Sequence, residues 1–102
     1  MNEAVPGSEA DADPTAQRRV TIINTRGLHA RAAAKFAGTV GNFDADVQVT
    51  RKEQTVSGLS IMGLMMLAAA PGSDINLTAT GPDAEAAIDA LAALIADKFQ
   101  ED

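Results

Sequence analysis

The chain contains one histidine, His29, set in the run Asn24-Thr25-Arg26-Gly27-Leu28-His29-Ala30-Arg31 with an arginine on either side. A neutral imidazole is nucleophilic near pH 7 without an activating base, and a guanidinium offers a fork of donors that matches phosphoryl oxygens. This grouping suits reversible transfer of a phosphoryl group, with His29 as the group that carries it and Arg31 as the group that positions it. With one histidine and no cysteine, a zinc site of the usual kind is excluded, so no metal and no cofactor are expected. A lone histidine beside a turn is also an ordinary surface or capping residue, and residue types alone leave both readings standing.

The elements around His29 decide where it sits. Val20 and Ile22 alternate with Thr21 and Ile23 as in a strand, expected over Arg19 to Asn24, and Asn24 with Gly27 supplies a turn. An alanine-rich helix follows, from about Ala30 to Val40, with Ala33, Phe36, Ala37 and Val40 on its buried stripe and Gly41-Asn42 as its stop. His29 is thereby expected at a helix start, where the first backbone amides have no internal acceptor and form a ready anion site.

A second candidate is Ser60, which precedes the apolar run Ile61-Met62-Gly63-Leu64-Met65-Met66-Leu67-Ala68-Ala69-Ala70, closed by Pro71-Gly72. Serine is a good helix cap. The helix it starts is apolar all round, so if Leu64, Leu67 and Ala68 face inward, then Ile61, Met62 and Met65 face outward. An exposed apolar face rich in flexible methionine is expected to dock partner proteins.

The remaining elements complete a scaffold. Strands are expected over Phe43 to Arg51, Gln54 to Ser57 and Asp74 to Thr80, and a last helix over about Asp83 to Lys98. The order β-α-β-β-α-β-α, with one apolar sheet face, predicts an α+β fold: a two-layer open-faced sandwich of a four-stranded, mainly antiparallel sheet with three helices on one face.

The formal net charge of -6 argues against generic nucleic-acid binding, and the acids are unevenly placed. Arg19, Arg26, Arg31 and Lys35 all precede Asp44, which makes the stretch around His29 a positive island and favours an anionic group or an acidic partner surface. Residues 1–17, with acids, prolines and small side chains, read as a disordered acidic tail, and residues 18–102 as the folded domain. No secretory pattern opens the chain and its longest apolar run, Leu64 to Pro71, is too short for a bilayer, so a cytoplasmic monomer without membrane contact is expected.

Gly27-Leu28-His29-Ala30-Arg31 with Ala33-Ala34-Lys35-Phe36, and Ser60-Ile61-Met62-Gly63-Leu64-Met65-Met66-Leu67-Ala68, resemble the two signature regions of HPr, the histidine-containing phosphocarrier of the bacterial phosphotransferase system. The resemblance spans about residues 19–98. It implies a relay in which enzyme I, charged by phosphoenolpyruvate, passes a phosphoryl group to Nδ1 of His29 and an enzyme IIA domain receives it. It also implies that Arg31 helps to hold that group, that Ser60 is the regulatory serine modified by HPr kinase/phosphorylase in bacteria that possess it, and that Ile61, Met62 and Met65 meet the partners, with Arg26 beside them. One departure is Ala32, where most such proteins have proline; this form resembles a regulatory, nitrogen-related branch rather than one serving sugar uptake. The competing reading is a regulatory module that binds partners through the methionine-rich surface around Ser60 to Met66, whatever the state of His29.

Overall fold

The computed structural model describes residues 14–101. Four strands, β1 (Thr15–Thr21), β2 (Asp46–Arg51), β3 (Gln54–Ser57) and β4 (Asp74–Thr80), form one antiparallel sheet in the order β1-β4-β2-β3. Three helices, α1 (Ala30–Val40), α2 (Ile61–Met66) and α3 (Ala84–Ala96), cover one face of it, and a short turn over Lys98–Gln100 follows α3. The two-layer architecture is the expected one.

Alternation along the strands decides which face is covered. Val47, Val49, Ile75, Leu77 and Ala79 point inward and are buried, as are Phe36 and Val40 from α1, Leu64 from α2, and Ile88, Leu91 and Ile95 from α3. The register pairs Arg19 with Asn76, Gln17 with Thr78, and Thr50 with Asn76, so the opposite face is polar. On it Arg19 meets Asp74 at 2.7 Å and Thr21 donates to the same carboxylate at 2.6 Å. Hydrogen bonds from Thr21, then from Arg19, hold the Asp74 carboxyl below the usual aspartate range, against a smaller opposing push from desolvation.

Four elements have boundaries that differ from expectation. β1 begins at Thr15, inside the stretch assigned to the tail, because Thr15, Ala16 and Gln17 pair with Thr80, Ala79 and Thr78 of β4; it ends at Thr21 rather than Asn24. Residues 1–13 of that expected tail lie outside the described residues. β2 begins at Asp46 rather than Phe43, since the Asp44 amide donates to Asp83 Oδ2 at 2.8 Å and the Asp44 carbonyl accepts from the Asp83 amide at 3.1 Å, drawing this segment to the start of α3. α2 stops at Met66: Ala68 takes φ 52° and is exposed, and Ala69 is buried in its place. α3 ends at Ala96, short of Lys98, and the chain then turns left-handed.

Candidate phosphoryl-transfer site

The site is built on the turn between β1 and α1. Gly27 holds φ +68°, where a Cβ would stand 2.6 Å from the Ala69 carbonyl oxygen, so both conformation and space require glycine. That closeness lets the Leu28 amide donate to the same oxygen at 2.9 Å, tying the turn to the loop after α2. The His29 amide donates to the Gly27 carbonyl at 3.0 Å, and the His29 carbonyl accepts the first bond of α1, from the Ala33 amide at 2.8 Å. His29 is therefore the residue that caps α1 with its backbone, while its side chain makes no capping bond. The amides of the first turn of this 11-residue helix are left without internal acceptors beside the ring.

The ring is largely enclosed, its side chain 16% exposed. Nε2 is shut from solvent and faces Glu101 Oε2 at 3.3 Å, an approach not aligned as a hydrogen bond. Nε2 is thus closed to an incoming group. Arg26 and Arg31, both exposed, line a shallow depression of about 170 Å³ with His29, Phe99, Gln100 and Glu101. His29, Arg26 and Arg31 thus line one pocket at the start of α1, where arginines can offer charge-assisted bonds to a dianion.

Glu101 escaped the sequence reading, and it is the most consequential addition. Its Oε1 accepts from the Thr25 amide at 2.9 Å and its Oε2 from Asn24 Nδ2 at 3.2 Å. Partial desolvation pushes its carboxyl up, but the hydrogen bonds from Asn24 and from the Thr25 and Arg26 amides, with the attraction of His29, outweigh this and leave it below the usual glutamate range. Lys98, Phe99 and Gln100 deliver it, all with φ between 55° and 59°. Phe99 is buried, and its carbonyl accepts from Lys35 Nζ at 2.9 Å. No signal near His29 could have revealed this carboxylate; the one hint was an aromatic residue placed just past the periodic face of α3.

The positive island is smaller than expected. Arg26 and Arg31 reach the pocket, whereas Arg19 is engaged with Asp74 on the opposite sheet face and Lys35 holds the turn after α3. Ala32, the departure from the usual proline, is fully buried in the first turn of α1.

Ser60 caps α2, its Oγ accepting from the Gly63 amide at 2.9 Å. It does not line the His29 pocket. Ile61, Met62 and Met65 are exposed as expected, and Leu59 and Met66 extend the apolar patch beyond the residues picked out from sequence. The Leu28–Ala69 bond joins this second surface to the turn that carries His29.

A histidine that lines a pocket with two arginines, on a small domain that also exposes an apolar surface, has the form of a carrier domain that exchanges a small anionic group with other proteins. Residues 16–97 match the family described as "PTS HPr component phosphorylation site". The chain is 53% identical over 85 residues to phosphocarrier protein HPr of Cupriavidus necator, covering 83% of this chain and 96% of that one. It is 46% identical over 85 residues to phosphocarrier protein NPr of Shewanella violacea, covering 83% and 93% respectively. Among solved structures, HPr of Thermoanaerobacter tengcongensis is similar with a TM-score of 0.81 at 40% identity, covering 85% of this chain and 98% of that chain. The chain belongs to the HPr family of phosphocarrier proteins of the phosphotransferase system. Among the described residues no helix is long and apolar enough to cross a membrane.

Proposed function

We propose that this protein accepts a phosphoryl group on Nδ1 of His29 from phosphorylated enzyme I and hands it to an enzyme IIA domain in the cytoplasm. The observation that carries this reading is the closure of Nε2 against Glu101 in a ring that lines one pocket with Arg26 and Arg31, which supports Nδ1 as the reacting nitrogen. In the forward step the Nδ1 lone pair forms the N–P bond while the bond from phosphorus to the donor enzyme breaks, its electron pair leaving with the donor. The first amides of α1 and the Arg31 and Arg26 guanidinium groups take up charge on the phosphoryl oxygens. The second transfer reverses these roles toward the acceptor.

Partners approach over the patch formed by Ile61, Met62 and Met65, and Arg26 takes part in binding them. Phosphorylation of Ser60 by an HPr kinase/phosphorylase adds charge at the start of α2, which the helix tolerates but an acidic partner surface does not. The exposure of Leu59, Ile61, Met62, Met65 and Met66 also supports a second activity of the same surface, binding of a regulated partner irrespective of the state of His29.

Incubation with phosphoenolpyruvate and enzyme I tests the relay. The expected product carries one phosphoryl group that is labile in acid and stable in base, and His29→Ala abolishes it. The same histidine-type label on the variant would refute the assignment, because the sequence holds no other histidine.

A further inference from the structure

We propose that Asn24 is a positioning residue for this transfer: its buried amide holds the Glu101 carboxylate against Nε2 of His29 and thereby keeps the ring proton on Nε2 and the lone pair on Nδ1. The inference rests on the reading of His29 as the phosphoryl acceptor. Asn24 is the one fully buried polar residue among the described residues. Its Nδ2 donates to two acceptors at once, the Gly27 carbonyl at 2.8 Å and Glu101 Oε2 at 3.2 Å. Turning the amide over would set its oxygen against both of those acceptors, so its orientation follows from its partners.

That orientation leaves Asn24 Oδ1 buried with no partner among the described residues. An unpaired amide oxygen is a cost that an apolar side chain would not carry, so the two donations are what account for asparagine here. Both of them lead to His29. The Gly27 carbonyl that Asn24 grips also accepts from the His29 amide, at 3.0 Å, and fixes the backbone under the ring. The carboxylate oxygen that Asn24 grips is the one that faces the ring edge, while the other oxygen is separately held by Thr25. Loss of the Asn24 donor therefore frees the oxygen that matters to the ring and leaves the rest of Glu101 anchored.

A ring whose proton sits on Nδ1 has no lone pair there and cannot form the N–P bond, whereas a proton on Nε2 opposite a carboxylate leaves Nδ1 free and stays in place through the transfer. The amide thus sets the share of molecules ready to accept a phosphoryl group.

The test uses the full chain labelled with nitrogen-15, in which the single histidine gives one unambiguous set of ring signals. Asn24→Asp keeps the shape but removes the donor, Asn24→Ala removes it without adding charge, and Glu101→Gln removes the carboxylate. In each, two-bond proton–nitrogen correlation is expected to show a larger share of the Nδ1-protonated tautomer than in the parent protein. Phosphorylation by enzyme I and phosphoenolpyruvate is expected to slow by about tenfold, and Asn24→Ala combined with Glu101→Gln to be no slower than the slower single variant. A folded Asn24 variant with the parent tautomer ratio overturns the proposal, even if transfer slows, because slowing alone would follow from a merely structural role. The ring measurement is made on unphosphorylated protein, so it decides the role of Asn24 separately from whether partner enzymes charge His29.

Discussion

Glu101 Oε2 and His29 Nε2 face each other at 3.3 Å, and the segment that brings them together is a left-handed turn of three residues that all carry a Cβ. Such a conformation costs roughly 1–2 kcal/mol per residue. It is held by the burial of Phe99, by the Lys35 ammonium on the Phe99 carbonyl and by the bonds that Glu101 makes to Asn24 and Thr25. The end of the described chain is thus part of the site.

Because Glu101 ionises more readily in the folded protein than in the unfolded chain, its contribution to stability is present above the usual glutamate range and is lost as pH falls through its lower folded value. Glu101→Gln has no such proton to release. Thermal midpoints measured from about pH 7 down to pH 3 should fall more steeply for the parent protein than for the variant. Parallel curves would contradict this sign.

The left-handed turn predicts a stabilising substitution. Gln100, at φ 59°, is exposed and its side chain makes only a 3.4 Å contact with Lys35. Gln100→Gly should raise the free energy of unfolding by about 0.5–1 kcal/mol, read from urea denaturation. A loss of stability would show that the turn is not strained.

Gly27→Ala is expected to act in the other direction. The added Cβ meets the Ala69 carbonyl oxygen at 2.6 Å in a conformation that disfavours side chains, so the Leu28–Ala69 bond must break or the loop must shift. A cost of about 2–3 kcal/mol in unfolding free energy is expected, with slower phosphorylation of His29. A variant as stable as the parent would refute the close approach.

Most of this fold was legible in sequence, and the exceptions have a common cause. The start of α1 was marked by Gly27 and by the spacing of Ala33, Phe36 and Val40, and β4 by alternation of Ile75, Leu77 and Ala79; both lie where expected. Ser60 announced itself as a cap for the same local reason. What escaped depends on partners distant in sequence. Leu67 and the alanines Ala68 to Ala70 favour a helix continued up to Pro71, yet α2 stops at Met66, where Arg51 donates to the Leu67 carbonyl at 3.1 Å and Leu28 takes the Ala69 carbonyl. Likewise β1 reaches back to Thr15 because β4 offers it a partner, and Glu101 reaches the ring through a turn whose sequence, Lys98-Phe99-Gln100, has no glycine to announce it. Asn24 was legible as a turn residue, but its burial and its grip on Glu101 were not.

The apolar patch gives a prediction about partners. Met62 is 71% exposed, so Met62→Lys should change stability by no more than about 0.5 kcal/mol. On the proposed docking surface it should nonetheless weaken association with enzyme I by about tenfold or more, read by titration calorimetry. Unchanged affinity would move the docking surface elsewhere.

The most direct test of the central claim is the attachment point of the phosphoryl group. Nitrogen-15 and phosphorus-31 spectra of the protein charged by phosphoenolpyruvate and enzyme I should show phosphorus bonded to Nδ1 of His29. Phosphorus on Nε2, the nitrogen that faces Glu101, or a charged protein with the His29 ring unmodified, would contradict the account.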